Sequence, residues 1–391
     1  MQHFDLLKLQ NPWWDNPEFI FVESVFSKRQ AFNSLFEEIV SLRQVTALVG
    51  LRRTGKSTLL RQAIHQQLSS GTPPTHICYF PFEEPALPLS PDLLDEVIHI
   101  YLTQIIRQTP HSLNETVYLY LDEIQFIPYW QNIIKRYYDL TPRFKFIVSG
   151  SSSLFIRQEA KESLAGRMFE HYLPPLSFLE YLTLHPQGGF SQYLSFGGFP
   201  ELLTLPNPDK KIEYLKNWVI GRVLELDIPK SAGIRHQTDF ERLFWSLLPN
   251  TGQIISFPKL AFDLGLKRPT LFRYLKLLSD SLLITEVLNV SGSFRSTSRL
   301  LRKIYPASSN FLSLIQPVAP VGFLAETYTA QVLHARFGKD LGLFRHRSQE
   351  IDFLIPNQKL AVEVKYQNSL QTDPEKNCEE VGFDKKHRRV L

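Results

Sequence analysis

The amino-acid sequence predicts an α/β fold in which a parallel β-sheet is covered by helices on both faces. Between residues 45 and 148, short apolar runs of strand length alternate with segments that carry apolar residues at helical spacing. Strands that are buried on both faces are apolar throughout, and this pattern therefore favours parallel pairing. A glycine-rich loop between the first strand and the first helix of this region supports the same arrangement. The predicted strands are Val45–Val49, Ile77–Phe80, Val117–Leu121 and Phe144–Val148.

The composition is typical of a soluble globular protein, since 43% of the 391 residues are hydrophobic and 21% are charged. The formal net charge of +4 permits a nucleic-acid partner without implying one. Cys78 and Cys378 lie far apart, so neither a disulfide framework nor a cysteine metal cluster is expected. No apolar stretch is long enough to cross a bilayer, and the N-terminus lacks the form of a signal peptide. We therefore expect a cytoplasmic protein without a membrane partner.

Changes in pattern along the chain divide it into five predicted segments. Residues 1–44 should form an N-terminal strap and helix, and residues 45–175 should form the core that contains the parallel sheet. Residues 176–250 are mostly of helical pattern and are predicted to form a lid. Residues 251–290 follow the order helix, turn, helix and strand. Residues 291–391 should form a small α/β domain that ends in a polar tail.

The loop Gly50–Ser57 has the pattern Gly-x4-Gly-Lys-Ser of a phosphate-binding loop. In such a loop the backbone N–H groups and the N-terminus of the following helix face the phosphate oxygens. Gly50 and Gly55 would form the turn, Lys56 would reach the β- and γ-phosphates, and the Ser57 hydroxyl would bind Mg²⁺. The sequence therefore predicts a nucleotide and Mg²⁺ as cofactors. The other residues predicted to contact the nucleotide are Arg53, Thr54 and Thr58.

A second motif follows the third predicted strand, Val117–Leu121, which ends in Asp122 and Glu123. In parallel sheets the carboxyl ends of the strands form the edge at which ligands bind. Asp122 would hold Mg²⁺ through water, and Glu123 would orient and deprotonate the water that attacks the γ-phosphate.

Three further features of this region each have two interpretations. At the end of the fourth strand, Ser151 would either contact the γ-phosphate and report its presence, or cap the following helix together with the neighbouring serines. Arg167 would either neutralise charge on the transferred phosphoryl group, in the same chain or toward a neighbouring subunit, or form a surface salt bridge. Arg52 and Arg53 would contact phosphate or a partner, or be solvated.

With these motifs the sequence resembles the AAA+-like P-loop ATPases of bacteria and archaea that carry a C-terminal restriction-endonuclease-like domain. The resemblance covers most of the chain, and the combination of motifs is more specific than any one of them. It implies ATP binding at Lys56, Ser57, Asp122 and Glu123, with Ser151 or its neighbours as a sensor. It does not supply a substrate. The motifs are GLRRTGKSTLL (50–60), YLDEIQ (120–125), SGSSS (149–153), LAGR (164–167), PLSFLEYL (175–182), GGFPE (197–201), EIDFLI (350–355) and AVEVKY (361–366).

The segment 251–290 has the order of predicted elements that is typical of a winged helix. One helix begins near Phe257, Gly265 makes the turn, and Pro269–Leu278 forms a second helix. Recognition helices meet bases and phosphates at their start, and several polar residues lie there. The alternative is a helical module that only packs on the ATPase core. The candidate DNA contacts are Lys267, Arg268, Thr270 and Arg273.

The C-terminal segment carries carboxylates and a lysine on neighbouring predicted strands. Asp352 lies in one strand, while Glu363 and Lys365 project from the same face of the next. Together with Glu326 of the preceding helix, they would bind Mg²⁺ and activate water against a phosphodiester. This order resembles the core of restriction endonucleases and junction resolvases. The alternative is a degenerate nuclease fold that serves as a binding module.

The predicted fold class is therefore α/β: a P-loop NTPase parallel sheet with a helical lid, a winged-helix-like module and a small C-terminal restriction-endonuclease-like α/β domain. The first functional hypothesis is an ATPase that acts on DNA through its C-terminal modules. The second is a nucleotide-dependent switch that recruits a partner protein or forms a homo-oligomer, with an inactive nuclease-like module. A third makes the chain a metal-dependent nuclease that its ATPase licenses.

Overall fold

The computed structural model describes residues 3–83, 90–150, 163–229, 233, 234, 236–290, 301–315, 319–346, 349–365 and 388–390. The chain divides into two compact units, Met1–Leu173 and Pro174–Leu391. The predicted N-terminal segment 1–44 belongs to the first unit, together with the parallel sheet. None of the helices in the described part of the chain combines the length and the apolar character needed to span a lipid bilayer.

The first unit is built on a five-stranded parallel sheet, which confirms the predicted α/β class. The strand order is β2-β3-β4-β1-β5, and each neighbouring pair is parallel. β1 and β4 are buried along their whole length, as expected for strands that helices cover on both faces. The strands are β1 (Val45–Val49), β2 (Ile77–Pro81), β3 (Val117–Asp122), β4 (Phe144–Gly150) and β5 (Met168–Tyr172).

The fifth strand was not expected from the sequence, because it is neither apolar throughout nor regularly alternating. Its residues Met168–Tyr172 are exposed or half-buried, as an edge strand allows. By contrast, the helix after the glycine-rich loop packs as predicted, with Leu59, Leu60, Ala63 and Ile64 fully buried against the sheet. The helices of this unit are α1 (His3–Gln10), α2 (Phe32–Ser41), α3 (Lys56–Ser69), α4 (Pro91–Ile100, continued by a π-helical segment Tyr101–Ile106) and α5 (Trp130–Leu140).

The N-terminal strap covers the edge strand β2 through side-chain hydrogen bonds. The amide of Asn11 donates to the carbonyl of Tyr79 at 2.8 Å and accepts from its N–H at 2.6 Å, as a neighbouring strand would. The indoles of Trp13 and Trp14 both donate to the carbonyl of Ile77, at 3.1 and 2.8 Å. An edge strand otherwise presents unpaired backbone groups, so the strap completes the sheet on this side.

The second unit contains helices and a six-stranded mixed sheet of order β11-β10-β9-β8-β6-β7. β6 pairs with β7 in an antiparallel hairpin and with β8 in parallel, so strands from both sides of the predicted boundary at residue 290 share one sheet. The helices are α6 (Phe178–Leu184), α7 (Phe190–Phe196), α8 (Pro208–Tyr214), α9 (Gln237–Leu247), α10 (Phe257–Leu264), α11 (Arg268–Asp280) and α12 (Val321–Phe337). The strands are β6 (Ile284–Asn289), β7 (Arg302–Pro306), β8 (Gly342–His346), β9 (Gln349–Ile355), β10 (Leu360–Glu363) and β11 (Arg388–Val390).

Candidate functional site

The glycine-rich loop turns at the carboxyl end of β1 and requires glycine at two positions. A Cβ atom at Gly50 would lie 2.4 Å from the carbonyl oxygen of Leu173, so a side chain there would collide with the backbone. Gly55 has φ +94°, a left-handed conformation that residues with a Cβ rarely adopt. Helix α3 starts at the next residue, Lys56. The loop therefore places the backbone of residues 50–55 and the helix N-terminus around one concavity, where anions bind.

Lys56 is buried and its ammonium group contacts the loop itself. Nζ donates to the carbonyl oxygens of Gly50 and Leu51, both at 3.2 Å, and lies 3.5 Å from Oε1 of Glu123. A buried ammonium needs such partners because the desolvation of an unpaired charge is costly. The side chain is therefore held beside the loop at the carboxyl end of β1, where an incoming phosphate would meet it.

Asp122 lies at the end of β3 in a shell of hydroxyl groups. Tyr79 donates to its Oδ2 at 2.8 Å, and Ser149 donates to its Oδ1. Burial raises the pKa of Asp122, and the negative charge of Glu123 raises it further. The hydrogen bonds from Ser149, Ser57 and Tyr79 act in the opposite direction. The Ser57 hydroxyl therefore contacts the same carboxylate, so that the two residues predicted to serve Mg²⁺ lie together.

Glu123 lies beside Asp122 but belongs to a different electrostatic environment. Its backbone is left-handed, with φ +53°, and its N–H donates to the hydroxyl of Ser149 at 3.1 Å. Burial raises the pKa of Glu123, but the positive charges of Lys56 and Arg52 lower it, and the net pKa lies below its ordinary value. Glu123 is therefore an ionised carboxylate at neutral pH.

The remaining predicted residues of the loop have different environments. The Thr54 side chain is buried and donates to the carbonyl of Leu51 at 2.9 Å, so it supports the turn from inside. Its carbonyl accepts from Arg29 at 2.6 Å. Arg53 is exposed and has φ +67°, and Thr58 is half-buried in the first turn of α3.

Arg167 does not lie at this site, which corrects the predicted role in the same chain. β5 runs parallel to β1, and the carbonyl of Arg167 accepts from the N–H of Val45 at the start of β1. The loop follows the other end of β1, about 16 Å away at about 3.3 Å per residue. The guanidinium instead pairs with Asp139, with Nε 3.1 Å from Oδ1. The predicted sensor Ser151 lies outside the described residues.

Two residues complete the surroundings of the carboxylates in a role that the sequence did not predict: Tyr79, and Ser149, which the sequence offered only as a neighbour of the sensor candidate Ser151. Ser149 on β4 joins Asp122 to the backbone of Glu123, because β4 lies beside β3 in the sheet. Tyr79 on β2 approaches Asp122 from the other side. A serine or tyrosine inside an apolar strand carries no local signal of this role, since strand order decides which side chains meet.

If Asp122 holds Mg²⁺ as the sequence predicts, Tyr79→Phe should raise the Mg²⁺ concentration needed for half-maximal ATP turnover about tenfold, because residues that orient a metal ligand typically affect metal affinity on this scale. The variant keeps the ring and removes the hydroxyl, which donates to Oδ2 of Asp122 and also hydrogen-bonds the side chain of Arg61. Turnover measured against Mg²⁺ concentration, with ATP binding measured separately in EDTA, would check this. Tyr118→Phe, a partly buried tyrosine on β3, is the matched control. An unchanged Mg²⁺ dependence would show that Tyr79 is only structural.

The predicted nuclease-like residues form two neighbouring sets of ion pairs in the second unit. Glu326 and Asp352 meet around Lys303, whose Nζ lies 3.3 and 3.4 Å from their carboxylates. Glu363 and Lys365 pair with each other at 2.8 Å. Within the described residues, no three histidine, cysteine, aspartate or glutamate side chains are placed so that they could hold a metal ion. Lys303, on β7, was not among the residues predicted from the sequence.

The candidate DNA contacts lie at the start of α11. Lys267 is the residue before the helix and Arg268 is its first residue, and both are exposed. Arg273 is exposed one turn later, whereas Thr270 is half-buried. Gly265, with φ +66°, ends α10 and makes the predicted turn.

Comparison with known proteins agrees with the geometry of the first unit. Residues 42–182 match the AAA domain family, and residues 187–309 match a domain of unknown function (DUF8612). The chain is similar to an uncharacterized protein of Methanocaldococcus jannaschii, with 26% identity over 85% of this chain and 76% of that protein. It is also similar to an uncharacterized protein of Haemophilus influenzae, with 28% identity over 61% of each chain.

Among solved structures, the Walker-type ATPase PABY2304 of Pyrococcus abyssi aligns with 75% of this chain and 97% of its own length. The identity is 15% and the TM-score is 0.51, a likeness of fold alone. The parallel sheet, the glycine-rich loop at the end of β1 and the match over residues 42–182 agree with one another. The first unit therefore has the fold of P-loop ATPases.

Proposed function

We propose that the protein is a Mg²⁺-dependent ATPase that binds ATP at the glycine-rich loop and hydrolyses it to ADP and phosphate. The observation that supports this most is the convergence of Lys56, Ser57, Asp122 and Glu123 at one edge of the sheet. These side chains come from the two motifs predicted for nucleotide binding, and hydrogen bonds or ion pairs link them.

The residues present fit the requirements of ATP and Mg²⁺. The ammonium of Lys56 would exchange its carbonyl partners for phosphate oxygens, and the Ser57 hydroxyl and Asp122 supply the oxygen donors that Mg²⁺ prefers. Mg²⁺, when bound, neutralises charge on the β- and γ-phosphates. Glu123 is ionised and therefore able to accept a proton from the attacking water. Arg52, paired with Glu83 at 2.8 Å, keeps a second positive charge beside it.

We also propose that the second unit binds DNA through α11. The order of elements supports this: α9, a bridge between Ile254 and Lys303, α10, α11 and the hairpin β6–β7 follow one another as in a winged helix. α9 packs against both α10 and α11. The exposed basic side chains on α10 and α11 and just before α11 are Lys259, Lys267, Arg268, Arg273 and Lys276.

Reversing charge on α11 should weaken DNA binding at least tenfold at about 0.1 M salt, because phosphate contacts dominate affinity at low salt. The variant combines Lys267→Glu, Arg268→Glu and Lys276→Glu, and the slope of log affinity against log salt should fall by about 3. Fluorescence anisotropy with single-stranded, duplex and branched DNA would measure both. The matched control reverses three exposed lysines elsewhere in the same unit, Lys210, Lys339 and Lys359. Equal affinity in both triple variants would exclude α11 as the contact.

A second candidate function is a nucleotide-dependent switch that recruits a protein. Phe262 on α10 is 86% exposed, and large aromatic side chains are enriched at protein interfaces. In this case ATP turnover would be indifferent to every DNA form. A non-hydrolysable ATP analogue would then change the mass or shape in size-exclusion chromatography, which would favour the switch over the DNA-dependent ATPase.

A further inference from the structure

The carboxylate cluster of the second unit is organised around a lysine. Lys303 on β7 has a side chain that is only 4% exposed, and its Nζ lies 2.7 Å from Oε1 of Glu350. The same atom lies 3.3 Å from Oε1 of Glu326 on α12 and 3.4 Å from Oδ1 of Asp352 on β9. One buried ammonium group thus contacts three carboxylates from two other elements.

Five of the six carboxylate oxygens of Glu326, Glu350 and Asp352 are already engaged. The Tyr305 hydroxyl donates to Oε1 of Glu326 at 2.7 Å, and the N–H of Val364 donates to Oδ2 of Asp352 at 3.0 Å. Arg345 lies 3.5 Å from the second oxygen of Glu350. These contacts come from the backbone and from side chains of the chain itself.

The charge is also nearly balanced without a metal ion. Among the described residues, the four carboxylates of Glu326, Glu350, Asp352 and Glu363 have three cationic partners. The partners are Lys303, Arg345 and Lys365.

A divalent cation does not fit this arrangement. Mg²⁺ requires about six oxygen ligands at about 2.1 Å, and its ligands must face a space that no other cation fills. Here the ammonium of Lys303 lies at the point on which Glu326, Glu350 and Asp352 converge. Glu326, Asp352, Glu363 and Lys365 therefore do not form the Mg²⁺ site that the sequence predicts.

We propose that Lys303 is the resident cation of this cluster, and that the C-terminal sheet acts as a metal-free module in which the cluster fastens the β6–β7 hairpin to α12 and β9. Lys303 also forms the antiparallel bridge with Ile254 that precedes α10. The ion pairs thus join the proposed DNA-binding elements to the C-terminal sheet. In this proposal the module serves as a binding module, and without a metal ion it does not cut a phosphodiester.

Binding of Mn²⁺ to the whole chain without nucleotide tests this directly. Electron paramagnetic resonance would count bound Mn²⁺ in the unmodified protein and in Asp352→Asn, so that any ion at Asp122 contributes equally to both. We expect the same count in the two proteins. One more Mn²⁺ per chain in the unmodified protein would overturn the proposal, whether or not the protein hydrolyses ATP.

Thermal unfolding of the Lys303→Met variant is the second test of the proposal. Removing the buried ammonium deprives Glu326 and Asp352 of the cation that they share, so the Tm of the second unit should fall by about 10 °C. Lys339→Met, at an exposed lysine of the same unit, should leave Tm unchanged. An unchanged Tm in Lys303→Met would refute the fastening role. If that variant does not fold, the Mn²⁺ comparison still decides between the two outcomes.

Discussion

Glu123→Gln should lower the rate of ATP turnover about 1000-fold while ATP binding stays within about twofold of the unmodified protein. Glutamine has the size of glutamate and can still accept a hydrogen bond from the side-chain amide of Gln125, which now donates to Oε2. It cannot accept a proton from water, because an amide is not a base at neutral pH. Loss of a negative charge beside the triphosphate should not weaken binding. Phosphate release in the steady state and titration with a fluorescent ATP analogue would measure the two quantities.

Two other variants serve as controls for this experiment. Lys56→Ala removes the ammonium that would contact the phosphates and serves as the blank for both binding and turnover. Glu37→Gln, at an exposed residue of α2, is the matched control and should behave like the unmodified protein. A Glu123→Gln variant with near-normal turnover would remove Glu123 from the role of general base. Turnover of the unmodified protein no faster than the blank would instead refute the ATPase proposal itself.

The parts of the site that the sequence predicted are those in which chemistry and backbone conformation lie within a few consecutive residues. The loop Gly50–Ser57 needs glycine where φ is positive or the backbone approaches closely, and these needs leave a local pattern. The same holds for Asp122 and Glu123, which follow one buried strand. Such motifs can be recognised without knowledge of which strands are neighbours.

The parts that the sequence missed depend on neighbours that only the folded sheet defines. Arg167 follows β4 in sequence and was therefore placed near the nucleotide, but the direction of β5 puts it at the opposite edge. Tyr79 and Ser149 reach Asp122 because β2 and β4 flank β3. Lys303 meets Asp352, almost fifty residues later, only when β7 and β9 come together in one unit. No spacing rule within a single segment encodes these contacts.

Asn11→Ala should lower the free energy of unfolding of the first unit by about 3 kcal/mol. Asn11 is 1% exposed and pairs with both backbone groups of Tyr79 on the edge strand β2. Alanine would leave a buried N–H and a buried carbonyl without a partner, and each such group costs about 1–3 kcal/mol. Urea unfolding would measure the change. Asn16→Ala is the control, because the side chain of Asn16 is exposed and accepts one hydrogen bond from Glu18.

The Asn11→Ala variant also tests whether the N-terminal strap helps to position Asp122. The backbone of Tyr79 is held by Asn11, while its hydroxyl holds Asp122, so a loosened β2 should also loosen the carboxylate that we assign to Mg²⁺. We therefore expect faster hydrogen exchange in a peptide that covers Ile77–Pro81 and a higher Mg²⁺ requirement in the same protein. Loss of stability with unchanged exchange in β2 would place the role of Asn11 elsewhere, in its bond to the carbonyl of Leu7. Faster exchange with an unchanged Mg²⁺ requirement would show that Asp122 keeps its position without support from β2.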